Sequence, residues 1–144
     1  MIKKMICFCL GGVLLCSSVH ATAEILNSKI DLAIGTESRI NLSIISPIAE
    51  LTTMTARVGE KNYQIESVVY PSGTRANKNV YQNELRIFEV DTEEMLHELG
   101  AVQVYVEESS DSTVRLTSAD GQALALDLVI NPVSADEFAK LRAR

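Results

Sequence analysis

Residues 114–130, Val-Arg-Leu-Thr-Ser-Ala-Asp-Gly-Gln-Ala-Leu-Ala-Leu-Asp-Leu-Val-Ile, set two alternating apolar runs on either side of Asp120-Gly121. Alternation at period two puts every second side chain on one face of a strand, so Val114 and Leu116, then Leu124, Leu126, Leu128 and Ile130, mark half-buried strands. Asp-Gly tolerates the positive φ of a tight hairpin turn. The stretch therefore predicts an antiparallel hairpin, and the same pattern recurs through most of the chain.

Upstream, Val102, Val104 and Val106 alternate until Glu107-Glu-Ser-Ser-Asp-Ser112. Ile30, Leu32 and Ile34 alternate up to Gly35, and Ile40, Leu42 and Ile44 alternate with Asn41 and Ser43 until Pro47 stops the ladder. Met54, Ala56 and Val58 lead into Gly59-Glu-Lys-Asn62, which reads as a four-residue turn, and Tyr63, Ile65 and Val69 resume the pattern. Pro71-Ser-Gly73 reads as the end of that strand, and Thr74 to Asn79, polar and carrying Arg75 and Lys78, as a solvated loop. Val80 to Val90 restores strand composition, with Leu85 and Ile87 facing one way and Phe88 and Val90 the other.

Two segments break the period. Asp91-Thr-Glu-Glu94 has N-cap spacing, and Met95, Leu96 and Leu99 precede Gly100 at a C-cap position, which predicts a two-turn helix. Ser134-Ala-Asp-Glu137 before Phe138 and Leu141 predicts a second, C-terminal helix. Seven or eight short strands with turn signals between them favour two packed sheets, so the expected fold is mainly β: an immunoglobulin-like β-sandwich with one or two short helices.

The chain opens with Met-Ile-Lys-Lys, continues in an apolar run from Met5 to Cys16 and reaches Ala21-Thr-Ala23. These are the basic, apolar and small-residue parts of a secretory signal peptide, with cleavage expected after Ala21 or Ala23. The domain plan is thus residues 1–23 as signal peptide and 24–144 as a single β-sandwich domain. The apolar run falls short of the ~20 residues that span a bilayer, so no transmembrane segment is expected in the mature chain. The pattern suits bacterial export, which places the product in the periplasm or at the cell surface, with a Gram-negative bacterium as the expected source, while a eukaryotic secretory source fits the same pattern. Cys7, Cys9 and Cys16 all leave with the signal, so the mature chain has no thiol for a disulfide, a zinc site or a nucleophile. Leu15 stands before Cys16 where lipoprotein processing favours a small residue, which argues against a lipid anchor.

Without Lys3 and Lys4, the 13 basic residues fall to 11 against 19 acidic ones, a net −8. That balance disfavours nucleic acid and anionic lipid as partners. Histidine, the commonest general base, is left only at His97, beside Glu93, Glu94 and Glu98. Glu94 and His97 have the i, i+3 spacing of a helical metal pair, but no second Glu-x-x-His exists. Glu107, Glu108 and Asp111 lack the spaced ligands of a calcium loop and read as a solvated turn. No Gly-x-Ser-x-Gly, phosphate loop or dinucleotide fingerprint occurs. The sequence points to a protein that is not an enzyme, with no catalytic residues, cofactor or metal.

Residues 40–51, Ile-Asn-Leu-Ser-Ile-Ile-Ser-Pro-Ile-Ala-Glu-Leu, resemble the first segment of the colonisation-factor-type (CFA/I-like) fimbrial major subunits. The similarity continues through Val69-Tyr-Pro-Ser-Gly73, Leu85-Arg-Ile-Phe88, Leu124 to Ile130 and Ser134-Ala-Asp-Glu-Phe138. The resemblance implies a structural subunit of a fimbrium (pilus) with a role in cell adhesion, assembled by donor-strand complementation. Its implied partners are copies of itself or related pilin subunits, a periplasmic chaperone and an outer-membrane usher. Ile40, Leu42 and Ile44 match the donor strand, and Ile30, Leu32 and Ile34, nearer the mature N-terminus, are the alternative donor. On the residues alone, the same positions serve equally as core of a self-contained periplasmic or secreted binding or accessory domain, with a loop such as Thr74 to Asn79 meeting the partner. An acidic, inhibitor-like protein is the third reading of a small chain at net −8.

Overall fold

The alternating runs fold as strands. The protein is described here by a computed structural model over residues 24–142, so residues 1–23, expected to be a signal peptide, lie outside the described residues. Eight strands run β1 (Ile25–Ile34), β2 (Ser38–Pro47), β3 (Thr52–Val58), β4 (Lys61–Arg75), β5 (Lys78–Val90), β6 (Leu96–Glu107), β7 (Ser112–Thr117) and β8 (Ala123–Val133), followed by helix α1 (Ala135–Arg142). They form two four-stranded antiparallel sheets, in the orders β2-β1-β8-β7 and β3-β4-β5-β6.

The inward rows are those that the alternation marks. Ile30, Leu32 and Ile34 of β1, Ile40 and Ile44 of β2, Ile65 and Val69 of β4, Leu85 and Ile87 of β5, and Leu124 to Ile130 at every second position of β8 are all buried in one core. Other inward residues of the four edge strands, such as Leu42, Met54, Val104 and Val114, are only partly buried against it. Burying an aliphatic side chain contributes about 1.5–3 kcal/mol, and β8 contributes the longest unbroken apolar row, Leu124, Leu126, Leu128 and Ile130, whereas the inward row of β1 is interrupted by buried Ser28. The core also holds a polar pair: Asn83 Nδ2 donates to Ser67 Oγ at 3.3 Å.

The expected architecture, mainly β in two packed sheets, is present. The immunoglobulin-like connectivity is not what these strands form. Each strand pairs with its sequence neighbour, except where the chain changes sheet between β2 and β3 and between β6 and β7, and β8 returns to pair with β1. That is an up-and-down order with no Greek-key return. Local alternation specifies faces, not which edges meet, so it is silent on this difference.

Asp91 to Gly100 is not a helix. Asp91 Oδ1 accepts the N–H groups of Glu93 at 2.8 Å and Met95 at 2.9 Å, and Glu94 turns the chain at φ 64°. An N-capping aspartate and one closing a turn use the same side-chain chemistry. Pairing with β5, from Val90 opposite Leu96 to Val80 opposite Glu107, then decides for a strand. Gly100 is no C-cap: a Cβ there would run into Leu116 Cδ1 and lie 3.2 Å from Leu124 Cδ1, so it marks a close approach of the two sheets.

Thr74 to Asn79 is not a loop either. β4 continues to Arg75 and β5 begins at Lys78, with a register shift between Pro71 and Thr74 and a two-residue tip at Ala76 and Asn77, φ 51° and 68°. Two successive positive φ values are those of the primed turn that matches strand twist. The Gly59 turn likewise has two residues, not four, because Val58 pairs with Lys61. The Asp120-Gly121 hairpin forms as expected, with Val114 opposite Leu126 and Leu116 opposite Leu124. So does α1: Glu137 N–H donates to Ser134 Oγ at 3.1 Å, and the Ser134 hydroxyl reaches Glu137 Oε1 at 3.3 Å.

Candidate functional site

The six residues singled out as donor strands lie on one hairpin. Ile30 stands opposite Leu42 and Leu32 opposite Ile40, all directed at the core. β1 is paired over ten positions with β2 on one side and over ten with β8 on the other. β2 is an edge strand, hydrogen-bonded to β1 alone.

The polar groups considered for chemistry are spread out. His97 Nε2 lies 2.8 Å from Asp91 Oδ2 on the surface, while Glu94 sits in the turn before β6. The Asp91 carboxyl is held below its ordinary range by its hydrogen bonds to His97 and to the Met95 and Glu93 N–H groups. Glu108 Oε1 accepts from Asn79 Nδ2 at 3.0 Å, and Glu107 stands 3.9 Å from Arg75. Among the described residues, no group of three or more His, Cys, Asp or Glu side chains is placed to hold a metal.

The two outer sheet faces differ in what they leave open. On the β2-β1-β8-β7 face, polar side chains bond to each other: Arg39 to Asp31 at 2.9 Å, Ser43 to Asn27 at 2.8 Å and Thr113 to Asp127 at 2.7 Å. Arg39 holds the Asp31 carboxyl below its ordinary range, chiefly through that hydrogen bond.

On the β3-β4-β5-β6 face, β5, one of the two central strands, carries Gln82, Glu84, Arg86 and the largely covered Phe88. Arg86 is engaged. Its guanidinium meets Glu98 at 2.9 Å and Glu66 at 3.6 Å, and it stands 5.0 Å from the centre of the Phe88 ring. Four residues along the strand, Gln82 is flanked in register by Tyr70 of β4 and Tyr105 of β6. Tyr105 is 59% exposed and Tyr70 37%, whereas Tyr63 and Tyr81 are buried. Strands lie ~4.8 Å apart, so the two rings stand on backbones roughly 10 Å from each other. Gln82 Nε2 donates to Glu84 Oε2 at 3.0 Å, and among the described residues Glu84 has no cationic partner.

Beyond this row the β4–β5 hairpin extends as an arm exposed from Tyr70 to Asn79, with Arg75 and Lys78 paired at its tip. Tyr81, at its base, is buried and donates to Glu24 at 2.8 Å; burial, then that carboxylate, push its hydroxyl's titration well up. Neither Tyr70 nor Tyr105 is among the residues the sequence pattern marks for function, yet each is out of phase with its strand's apolar row. Tyr70 follows Val69, and Tyr105 falls between Val104 and Val106. A large apolar ring on the solvent phase of a strand is the signal that identifies them.

Searches against protein-family models, curated proteins and solved structures return no match. Among the described residues, no helix is long and apolar enough to cross a membrane.

Proposed function

We propose that this chain is a self-contained, exported, non-enzymatic β-domain that works by binding a partner through the outer face of the β3-β4-β5-β6 sheet and the arm beside it. The observation that carries the reading is the pairing of β1, ten positions to β2 and ten to β8, which occupies the place an incoming strand would take. A chain whose groove is filled by its own strand needs no neighbour to complete its core. The open tyrosines and the protruding arm supply the surface on which such a domain acts.

Donor-strand assembly into a fimbrium, with chaperone and usher as partners and a role in adhesion, is the second reading, and one feature favours it. β1 is the first strand and lies between β2 and β8, so its departure would open a groove lined by Ile40, Leu42 and Ile44 on one side and Leu124, Leu126 and Leu128 on the other. In that assembly Ile30, Leu32 and Ile34 are the donated residues.

Size exclusion and thermal unfolding of the purified chain, alone and with peptides spanning Ile25–Ile34 or Ser38–Leu51, separate the two readings. A cooperatively unfolding monomer indifferent to both peptides is the expected outcome. Marked stabilisation by the Ile25–Ile34 peptide, or polymers that lose Leu32→Asp subunits, would replace it with strand donation, because a ligand of the native state raises its stability.

A further inference from the structure

The outer face of β3-β4-β5-β6 already binds one cation, its own. Arg86, projecting from the middle strand, is held between Glu98 and Glu66 with the Phe88 ring beside it. The row at Gln82 brings together the same kinds of group, aromatic rings and a carboxylate, in a different arrangement and without a guanidinium. Position 82 projects from the same strand onto the same face, aromatic residues stand in register on both flanks, and among the described residues the Glu84 carboxylate accepts from the uncharged Gln82 amide and has no cationic partner. Carboxylate and ring faces attract a cation together, and an unneutralised acid on an exposed aromatic row adds to a mature chain at net −8.

We infer that the Tyr70–Gln82–Tyr105 row, with Glu84 beneath it, docks an arginine or lysine side chain from an extended basic segment of a partner protein. This rests on the reading of the chain as a self-contained binding domain and names the chemistry of its partner. The incoming cation lies over Gln82 between the two rings and pairs with Glu84. Gln82 keeps a carbonyl oxygen to accept from the same cation. The Arg75 and Lys78 tip of the arm, set beyond the row, repels a second cation and so limits where along a basic segment the chain is held.

The test is titration of the full chain with a hexa-arginine peptide, followed by calorimetry and by tyrosine fluorescence, which no tryptophan obscures. Saturable binding is expected. Tyr70→Ala and Tyr105→Ala should each weaken it about two- to fivefold, the worth of one exposed cation–π contact. Tyr70→Phe and Tyr105→Phe should retain it, and these, with Glu84→Gln, carry the test if an alanine variant folds poorly. Glu84→Gln should weaken binding more than Glu93→Gln, an exposed carboxylate in the β5–β6 turn.

Equal losses from Glu84→Gln and Glu93→Gln would reduce the binding to net-charge attraction and overturn the inference. So would alanine variants that bind as the parent does, or a row that instead proves to hold an oligosaccharide or a second copy. A folded monomer that ignores the peptide overturns the cationic partner alone. A polymer completed by β1 overturns the underlying reading as well.

Discussion

The two outer faces rest on the same core and are both antiparallel, yet they use their polar groups in opposite ways. On the β2-β1-β8-β7 face, Asp31, Asn27 and Asp127 have partners in Arg39, Ser43 and Thr113. On the β3-β4-β5-β6 face, the engaged Arg86 stands beside a row in which, among the described residues, two tyrosine rings and Glu84 have no cationic partner. An interaction surface is better recognised by groups the fold leaves unspent than by composition, since both faces are rich in polar residues.

The comparison depends first on the shared core. Leu32, fully buried in β1 between β2 and β8, supports both faces at once, and Leu32→Ala should cost about 2–5 kcal/mol in a denaturant titration. A loss below about 1 kcal/mol would mean that β1 is not held where it closes the sheet.

Gly100→Val addresses one face only. The added side chain meets Leu116 and Leu124 and should displace β6, and Tyr105 with it, for about 1–3 kcal/mol. Chemical-shift changes confined to β5, β6 and the facing strands would sharpen the contrast; changes spread evenly over both sheets would dissolve it.

Arg86→Met removes the engaged cation and leaves Glu66 and Glu98 facing each other across an exposed surface. The expected loss is about 0.5–1 kcal/mol, smaller in high salt. A salt-independent loss would show packing on Phe88, not charge, to be the main contact.

The smallest effect belongs to the opposite face. Because Arg39 lowers the Asp31 pKa in the folded chain, Asp31 contributes stability at pH above the ordinary carboxylate range, and that contribution is lost as pH falls through the lowered value. Asp31→Asn should therefore flatten the acid limb of the melting-temperature profile and leave binding at the tyrosine row unchanged. A steeper acid limb in the variant would contradict the pairing.

Much of this architecture is legible residue by residue. Leu124 to Ile130 and Ile30 to Ile34 declare their inward faces, Asp120-Gly121 its hairpin, and Ser134 with Glu137 a helix start, because each depends on neighbours within a few positions. The site was half legible: Tyr70 and Tyr105 each stand out of phase with their strand, but nothing local tells that Gln82 lies between them. The segment from Asp91 to Gly100 misleads because its aspartate can cap a helix or close a turn, and pairing with β5 chooses the turn. The stretch after Pro71 misleads because turn residues inside a long, irregular hairpin resemble those of a loop.

By itself the sequence determined that the chain is built from alternating strands and which side of each is apolar, since side-chain period is a property of the local backbone. Only the tertiary structure decided that β8 returns to β1, that β6 begins where a helix was expected, and that Tyr70 and Tyr105, 35 residues apart in the chain, share one row. Those outcomes depend on which strand edges meet, and edge pairing is settled by the burial of whole sheets against each other.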